Sequence, residues 1–248
     1  MHKKPLLIST IIIIILFLIG AFVLKHFLFD SASTKAVLNV LNNNNRVAAF
    51  LGSKVTSGDI ANENIHFVSN GNGVTTNDII LTLPDIKNSV TVTANVSEDH
   101  NAVTVNTLSL ESKGEKHQFI DLDLSTNLMS SEELAGKNTL TLFSQMLDEI
   151  QKQSGYIILM RSKQNNDFIQ VGNINLKGQA CLFIEYSEGY TAENKQIYRA
   201  DGDCQNPATI LEALTSYATG TDNFKKLLTW KQLKTINTND KGEQEFVY

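Results

Sequence analysis

The sequence predicts an α+β protein: an N-terminal transmembrane helix followed by a helix-plus-antiparallel-sheet ectodomain that divides into two α+β subdomains. Three observations carry this expectation. Leu6 to Leu24 is an uncharged apolar run, and at 1.5 Å per residue it spans roughly 28 Å, close to the hydrocarbon thickness of a bilayer. Several later segments alternate apolar and polar residues with period two, as half-buried strands do. Two helix-period stretches each precede a set of such strands, so residues 1–30 are expected to form a cytoplasmic tip and anchor, 31–128 one domain, and 129–248 a second α+β domain with C-terminal helices.

Lys3 and Lys4 precede the apolar run, whereas Lys25 and His26 follow it and Asp30 comes soon after. The positive-inside bias then puts the N-terminus in the cytoplasm and the C-terminal domain in the periplasm or another extracytoplasmic space, as a single-pass protein of the inner (cytoplasmic) membrane. A cleaved signal peptide is the rival reading, because Ser31, Ala32 and Ser33 are small. Its apolar core would be long, and Lys25 to Phe29 separate that core from the patch, which favours a retained anchor. Beyond Lys25 the chain loses three of its 21 basic residues and keeps all 26 acidic ones, a formal charge of −8. An acidic body without a basic, aromatic-interleaved run excludes nucleic acid as a partner on electrostatic grounds.

In the first exported half, Val37, Val40, Leu41, Ala48 and Leu51 recur at helical spacing, and the polar run Asn42 to Asn45 interrupts them. This predicts either one helix of about four turns or two short helices broken at the asparagines, with Gly52 as a left-handed stop. The cluster Ser69 to Gly73 is a turn between Ile65 to Val68 and Ile79 to Leu83. Val90, Val92, Ala94 and Val96 alternate with Thr91, Thr93 and Asn95, and Ser97 to Asn101 reads as the next turn. Val103 and Val105 continue the alternation, but Leu108 and Leu110 take the opposite phase, which predicts a bulge near Asn106 and Thr107. Ile120, Leu122 and Leu124 alternate with Asp121 and Asp123 as one further strand. A meander of this kind leaves a face for the helix to cover.

In the second half, Ser130 and Glu133 have capping-box spacing, with Met129 and Leu134 as a staple and Phe143, Met146, Leu147 and Ile150 as the apolar stripe of a long helix ended by Gly155. Tyr156 to Met160, Phe168 to Ile174, Gln179 to Tyr186 and Lys195 to Ala200 read as four strands. Asn206 followed by Pro207 starts a helix that carries Ile210, Leu211 and Leu214 on one face, and Asp222 is expected to cap a last helix with Phe224, Leu227 and Leu228.

The search for chemistry yields no catalytic, cofactor-binding or metal-binding residue set. His100 beside Glu98 and Asp99, and His117 near Glu115, lack helix-spaced ligand pairing and are read as solvated turn residues. Asp201, Asp203, Gln205, Thr209 and Glu212 match EF-hand loop spacing, but position six is Asn206 where glycine is needed, and a cap explains the same residues. Glu188-Gly189-Tyr190 is no nucleophile elbow, Gly71 and Gly73 are turn glycines, and Asp121 with Asp123 and Asp148 with Glu149 read as solvated carboxylates. Cys181 and Cys204 remain. They flank a predicted hairpin, and in an oxidising compartment two cysteines permit one disulfide; in a reversed orientation they would be buried thiols.

Ala36 to Leu110 is similar to the domain shared by the cytochrome oxidase assembly factor 1 family and the related inner-membrane translocase subunit. The similarity rests on an N-terminal anchor, a helix ending in Phe50-Leu51-Gly52 before Val55, a turn glycine at Gly73, and strands Ile79 to Leu83 and Val90 to Val96 leading into Val103 to Leu110. The sequence departs from the family at Pro84 to Asn88, where a glycine-rich link is common, and at Val103, where a tryptophan opens the last strand. The resemblance implies a non-catalytic, membrane-anchored protein without a cofactor that binds integral or peripheral membrane-protein partners, in the assembly of a membrane (respiratory) complex. The alternative is an envelope enzyme or ligand-binding protein with its site in residues 130–248, near Tyr186, Tyr190 and Tyr198.

Overall fold

A computed structural model of the chain describes residues 31–69, 74–84, 89–99, 102–134, 137–163, 165–176, 179–188, 196–233, 235–238 and 244–247. The expected anchor, Leu6 to Leu24, lies outside these residues. Among the described residues no helix is long and apolar enough to cross a membrane.

The asparagine run produces two short helices: α1 (Ala32–Asn43) and α2 (Asn45–Leu51). Asn44 lies between them in extended conformation, and its side chain accepts from the backbone N–H groups of Arg46 and Val47, so it caps α2 where the apolar stripe pauses. Gly52 ends α2 with φ 73°, a left-handed conformation that a Cβ would strain. At the start of α1, Ser31 accepts from Thr34 N–H. The same turn is tied to the sheet: Ser33 donates to Glu98 at 3.1 Å and accepts from Asn77 at 2.7 Å, and Thr34 donates to Glu63.

Five strands follow in an antiparallel meander, β1 (Asn62–Ser69), β2 (Val74–Leu83), β3 (Val90–Asp99), β4 (Ala102–Ser112) and β5 (Glu115–Asp121), in that spatial order. Val90, Val92, Ala94 and Val96 are buried on the helix side, as their period requires. The phase slip is a bulge at Asn106: Asn95 faces Thr107 and Val96 faces Val105, so Asn106 has no opposite residue. Its side chain donates to Asn95 and Ser97 across the ladder. Strand β3 runs on to Asp99, which pairs with Ala102, so the expected turn at Ser97 to Asn101 begins later than predicted. Val37, Val40 and Leu41 of α1 and Val47 and Leu51 of α2 close this core against Ile79, Leu81, Leu108 and Leu110.

The strand expected over Ile120 to Leu124 is divided. Strand β5 ends in the first sheet at Asp121, and β6 (Asp123–Thr126) opens the second. Leu122 at the changeover packs against both cores, and its N–H donates to the Asn106 carbonyl at 2.8 Å. The long helix of the second half is divided too. The Ser130–Glu133 capping box forms, but it starts the one-turn helix α3 (Ser131–Leu134), whereas α4 (Thr139–Lys152) has its own cap in Asn138. Helix α4 ends at Gln153, and Gly155 lies further on, where Leu128 leaves no room for a Cβ.

Strands β7 (Tyr156–Ser162), β8 (Asp167–Leu176), β9 (Gln179–Ser187) and β10 (Ile197–Ala200) form the predicted meander, and Trp230–Leu233 adds β11 at its edge. Asn206 caps and Pro207 opens α5 (Pro207–Ala218). A separate C-terminal hairpin, β12 (Thr235–Thr238) with β13 (Gln244–Val247), is absent from the sequence expectation. Helices α4 and α5 bury Phe143, Met146, Ile150, Leu214 and Tyr217 against Ile157, Leu159, Ile169 and Ile184. Cys181 and Cys204 are disulfide-bonded with Cα atoms 4.8 Å apart. Strand β10 runs back along β9, Arg199 opposite Glu185, and Gln205 N–H donates to the Leu182 carbonyl, which brings Cys204 beside Cys181.

Closing a loop with a sequence separation of 23 contributes about 3 kcal/mol in the chain-entropy description. Replacing both cysteines by alanine should therefore lower the unfolding free energy of the full-length chain by about 2–4 kcal/mol in a urea titration. A midpoint equal to the parent's would remove the disulfide from the account of stability.

A second expectation concerns Glu63. Burial raises its pKa from the ordinary 4.5, opposed by the Thr34 hydroxyl, and its Oε2 is buried without a partner. Because the folded value is the higher one, the associated stability is complete below pH 4.5 and is lost as pH rises through the folded pKa. Glu63→Gln, which keeps the acceptor for Thr34, should melt above the parent at neutral pH, with the gap closing in acid. A gap that does not change with pH in calorimetry would refute this.

Candidate functional site

The asparagine run, read from sequence as an interruption, is where the two halves are joined. Asn42 accepts from Val55 N–H and donates to the Leu38 and Val55 carbonyls, which folds the loop after α2 back onto α1. Asn43 offers its carbonyl to Asp222 N–H at 2.9 Å, and Asn44 donates its side-chain amide to the Gly220 carbonyl at 3.0 Å. Asn45 N–H donates to Asp222 Oδ2 at 2.7 Å. Gly220 makes the approach feasible: its φ is 80°, and a Cβ there would meet Ile120 at 2.6 Å and Val40 at 2.7 Å.

Asp222 does not cap the expected last helix. The segment it precedes, Asn223–Lys226, is a single 3₁₀ turn without a side-chain cap. Its carboxylate serves Arg161 instead, whose Nη1 donates to Oδ1 at 2.8 Å. Arg161 is 2% exposed. Its Nη2 donates to the Thr221 carbonyl at 2.6 Å and the Tyr217 carbonyl at 3.2 Å, and its Cζ lies 3.9 Å from the Tyr217 ring centroid. Burial works against the guanidinium's charge, but the oxygens of Tyr217, Asp167 and Asp222 more than offset it, and the pKa is raised. Burial and then the Asp167 charge hold the Tyr217 hydroxyl well above its usual pKa, so it stays protonated and donates to Asp167 Oδ1 at 2.7 Å.

Above this network a cleft opens between α2 and the second half, with a volume of about 380 Å³ and with Asn45, Arg46, Asn165, Asp167, Glu188 and Lys225 in its wall. Two cations and two carboxylates face it in alternation. Arg46 approaches Asp167 Oδ2 at 3.6 Å, and Lys225 contacts Glu188. The space is at the lower end of small-ligand sites, about 300–1,000 Å³.

Of the residues singled out in the sequence, Glu188 lies in this cleft and the others described lie elsewhere. His117 packs against Phe50, ring centroids 5.0 Å apart, with Glu115 at 3.9 Å; His100 is outside the described residues. Asp121 is exposed and Asp123 pairs with Lys163 at 2.8 Å. Asp201 pairs with Lys231 at 2.7 Å, and the Asn206 side chain accepts from Ala208 N–H, the geometry of a cap. Tyr186 and Tyr198 stack at 4.9 Å with Phe224 and Trp230 around Tyr186, which is core packing; Tyr190 lies outside the described residues. Among the described residues no group of three or more His, Cys, Asp or Glu could hold a metal ion. Arg161, Asp167 and Lys225 carried no local sequence signal. A charged residue ending an otherwise apolar strand pattern, as Arg161 does after Ile157 and Leu159, was the one trace available.

No protein-family model, curated protein or solved structure matches the chain.

Removing one member of a buried ion pair strands the other, at a cost of about 3–5 kcal/mol. Asp222→Ala should show a loss of that size in urea unfolding, because Arg161 loses its nearest counter-charge and Asn45 N–H its acceptor. Asp222→Asn, which retains an acceptor oxygen, should cost less. Equal midpoints for Asp222→Ala and the parent would show that the pair is not structural.

Proposed function

We propose that the chain is a single-pass membrane protein of the inner membrane. Its exported α+β body binds integral or peripheral membrane-protein partners, in the assembly of a membrane complex of the respiratory kind. Leu6 to Leu24 supplies the anchor, and the Cys181–Cys204 disulfide fits an oxidising compartment beyond it. The link to complex assembly comes from the resemblance over Ala36 to Leu110.

The observation that carries the binding reading is the use made of the buried ionisable groups. Arg161, Asp222, Tyr217 and one oxygen of Asp167 spend their hydrogen bonds on holding the second sheet, α5 and the bend between α1 and α2 together, and Glu185 pairs with Arg199 within one sheet. A general base must reach a proton on a substrate. Asp167 already accepts a hydrogen bond from the Tyr217 hydroxyl on one oxygen, and Tyr217 is held protonated. The residues so engaged give a fixed surface, which suits a protein that acts by docking.

An alkaline phosphatase fused after Tyr248 should be active in cells. In functional rescue at matched protein levels, alanine at Asp121, Asp123, His117 or Asp201 should each preserve function, and replacing Leu6 to Leu24 with a cleaved leader should weaken it by lowering the effective concentration at the membrane. An inactive but intact fusion would sink the exported topology. Loss of rescue from one folded, anchored alanine variant would replace the docking reading with an enzymatic one.

A further inference from the structure

The cleft between α2 and the second half contains charges of both signs that are only partly used by each other. Asp167 is 4% exposed, and its Oδ1 is taken by the Tyr217 hydroxyl at 2.7 Å. Among the described residues its Oδ2 has only the Arg46 guanidinium, at 3.6 Å, well beyond the 2.7–2.9 Å or so of a charge-assisted hydrogen bond. A carboxylate oxygen this loosely partnered in the wall of a cleft has room for a stronger donor. Arg46 in turn lines the cleft with a side chain 42% exposed, its Cζ 6.0 Å from the Phe119 ring centroid. On the opposite wall, Lys225 contacts Glu188 and lies 5.8 Å from the Tyr186 ring.

We propose that this cleft binds a small zwitterion bearing one primary ammonium and one carboxylate, between a free amino acid and a dipeptide in size. The ammonium donates to Asp167 Oδ2 and Glu188, and the carboxylate accepts from Arg46 and Lys225. Charge balance selects this class. An anion that drew Arg46 and Lys225 away would leave Asp167 and Glu188 without cations, and a cation that took the carboxylates would strand the two bases. A neutral ligand would compete with ion pairs it cannot replace. A molecule with both charges exchanges with both pairs at once and leaves no group uncompensated. Asn45 and Asn165, also in the wall, supply amide groups for the backbone-like part of such a ligand. Arg46 belongs to the first half and the other three charges to the second, so a bound zwitterion bridges the halves. The inference goes beyond the docking role and does not depend on the membrane topology.

Calorimetric titration and thermal melting of the full-length chain in detergent provide the test. The probes are glycine, L-glutamine and glycylglycine, with sodium propionate and propylammonium chloride as single-charge controls at matched ionic strength. At least one zwitterion should bind and, at a hundred times its Kd, raise Tm by about 5 °C or more. The controls should not. Stronger binding of glycylglycine than of the free amino acids would assign the site to peptides, and the reverse order to free amino acids. Arg46→Gln and Lys225→Gln should each weaken binding by about tenfold or more while melting near the parent without ligand; Glu188→Gln provides a third variant should either fail to fold. No binding by any of the three zwitterions at millimolar concentration, equal binding by propionate or propylammonium, or unchanged affinity in the folded variants would each overturn the proposal.

Discussion

Arg161 constrains several separate parts of this structure, because the charge of a guanidinium 2% exposed must be answered inside the protein; its two Nη groups are answered and its buried Nε has no partner. The answers come from three places in the chain. Asp222 gives a carboxylate, Tyr217 and Thr221 give carbonyls, and Asp167 adds charge at longer range through Tyr217. Each of these residues then acquires a duty of its own. Asp222 cannot face Arg161 without also presenting Oδ2 and its N–H to the bend between α1 and α2, where Asn45 and Asn43 meet it. The segment 220–222 is thereby held against the first core, and that in turn requires glycine at position 220, between Ile120 and Val40. One buried charge on β7 thus determines a turn, a helix bend and a glycine in separate parts of the sequence.

The joint has a second attachment some way from the first. Asn138, the cap of α4, accepts from the Thr104 hydroxyl at 2.9 Å and donates to the Ser97 and Ala102 carbonyls at 3.3 Å, so the helix that covers the second sheet starts on strands of the first. Leu122 passes between the sheets and belongs to both cores. With the chain crossing at one point and polar contacts at two others, relative rotation of the halves breaks hydrogen bonds inside the protein, where water does not replace them cheaply. The cleft lies over this joint, so its width is set by interactions that also hold the fold.

The sequence disclosed whatever depends on near neighbours. Period-two alternation located β3 and β4, strand-forming runs between polar turns located β7, β8 and β9, the change of phase marked the bulge at Asn106, and Asn206-Pro207 and Gly52 marked helix ends. These signals work because a strand's faces, a cap and a left-handed residue are decided within about four residues. What the sequence leaves undisclosed has one origin. The break at the asparagines is legible but not the partners of Asn44, an aspartate before Asn223 suits a cap, and Arg161 at a strand terminus carries no local signal of burial. Their roles are set by partners at least 56 residues away along the chain. The same holds at Leu122, where unbroken alternation hides a change of sheet because the backbone stays extended while its pairing partner changes from β4 to β7. Of the cleft, Glu188 reads in the sequence only as part of a failed nucleophile motif, and nothing local joins it to Arg46.

On the proposed topology, electrostatics gives this joint a functional meaning. A chain carrying −8 beyond Lys25 is repelled by anionic headgroups, so the exported body is held at the membrane by its anchor and not by adsorption. Its faces then remain open to partner proteins that approach in the membrane plane, and the anchor's contribution to binding is concentration near the bilayer. For such a body, rigidity lowers the ordering cost that each docking event must overcome. Charges placed on an exposed hinge would be screened over a Debye length of roughly 8 Å at physiological salt and would hold the halves weakly. Charges placed at Arg161 and Asp222, with side chains 3% and 7% exposed, are screened little, and they keep the two sheets in one arrangement without adding positive charge to a surface whose acidity keeps it off the lipid.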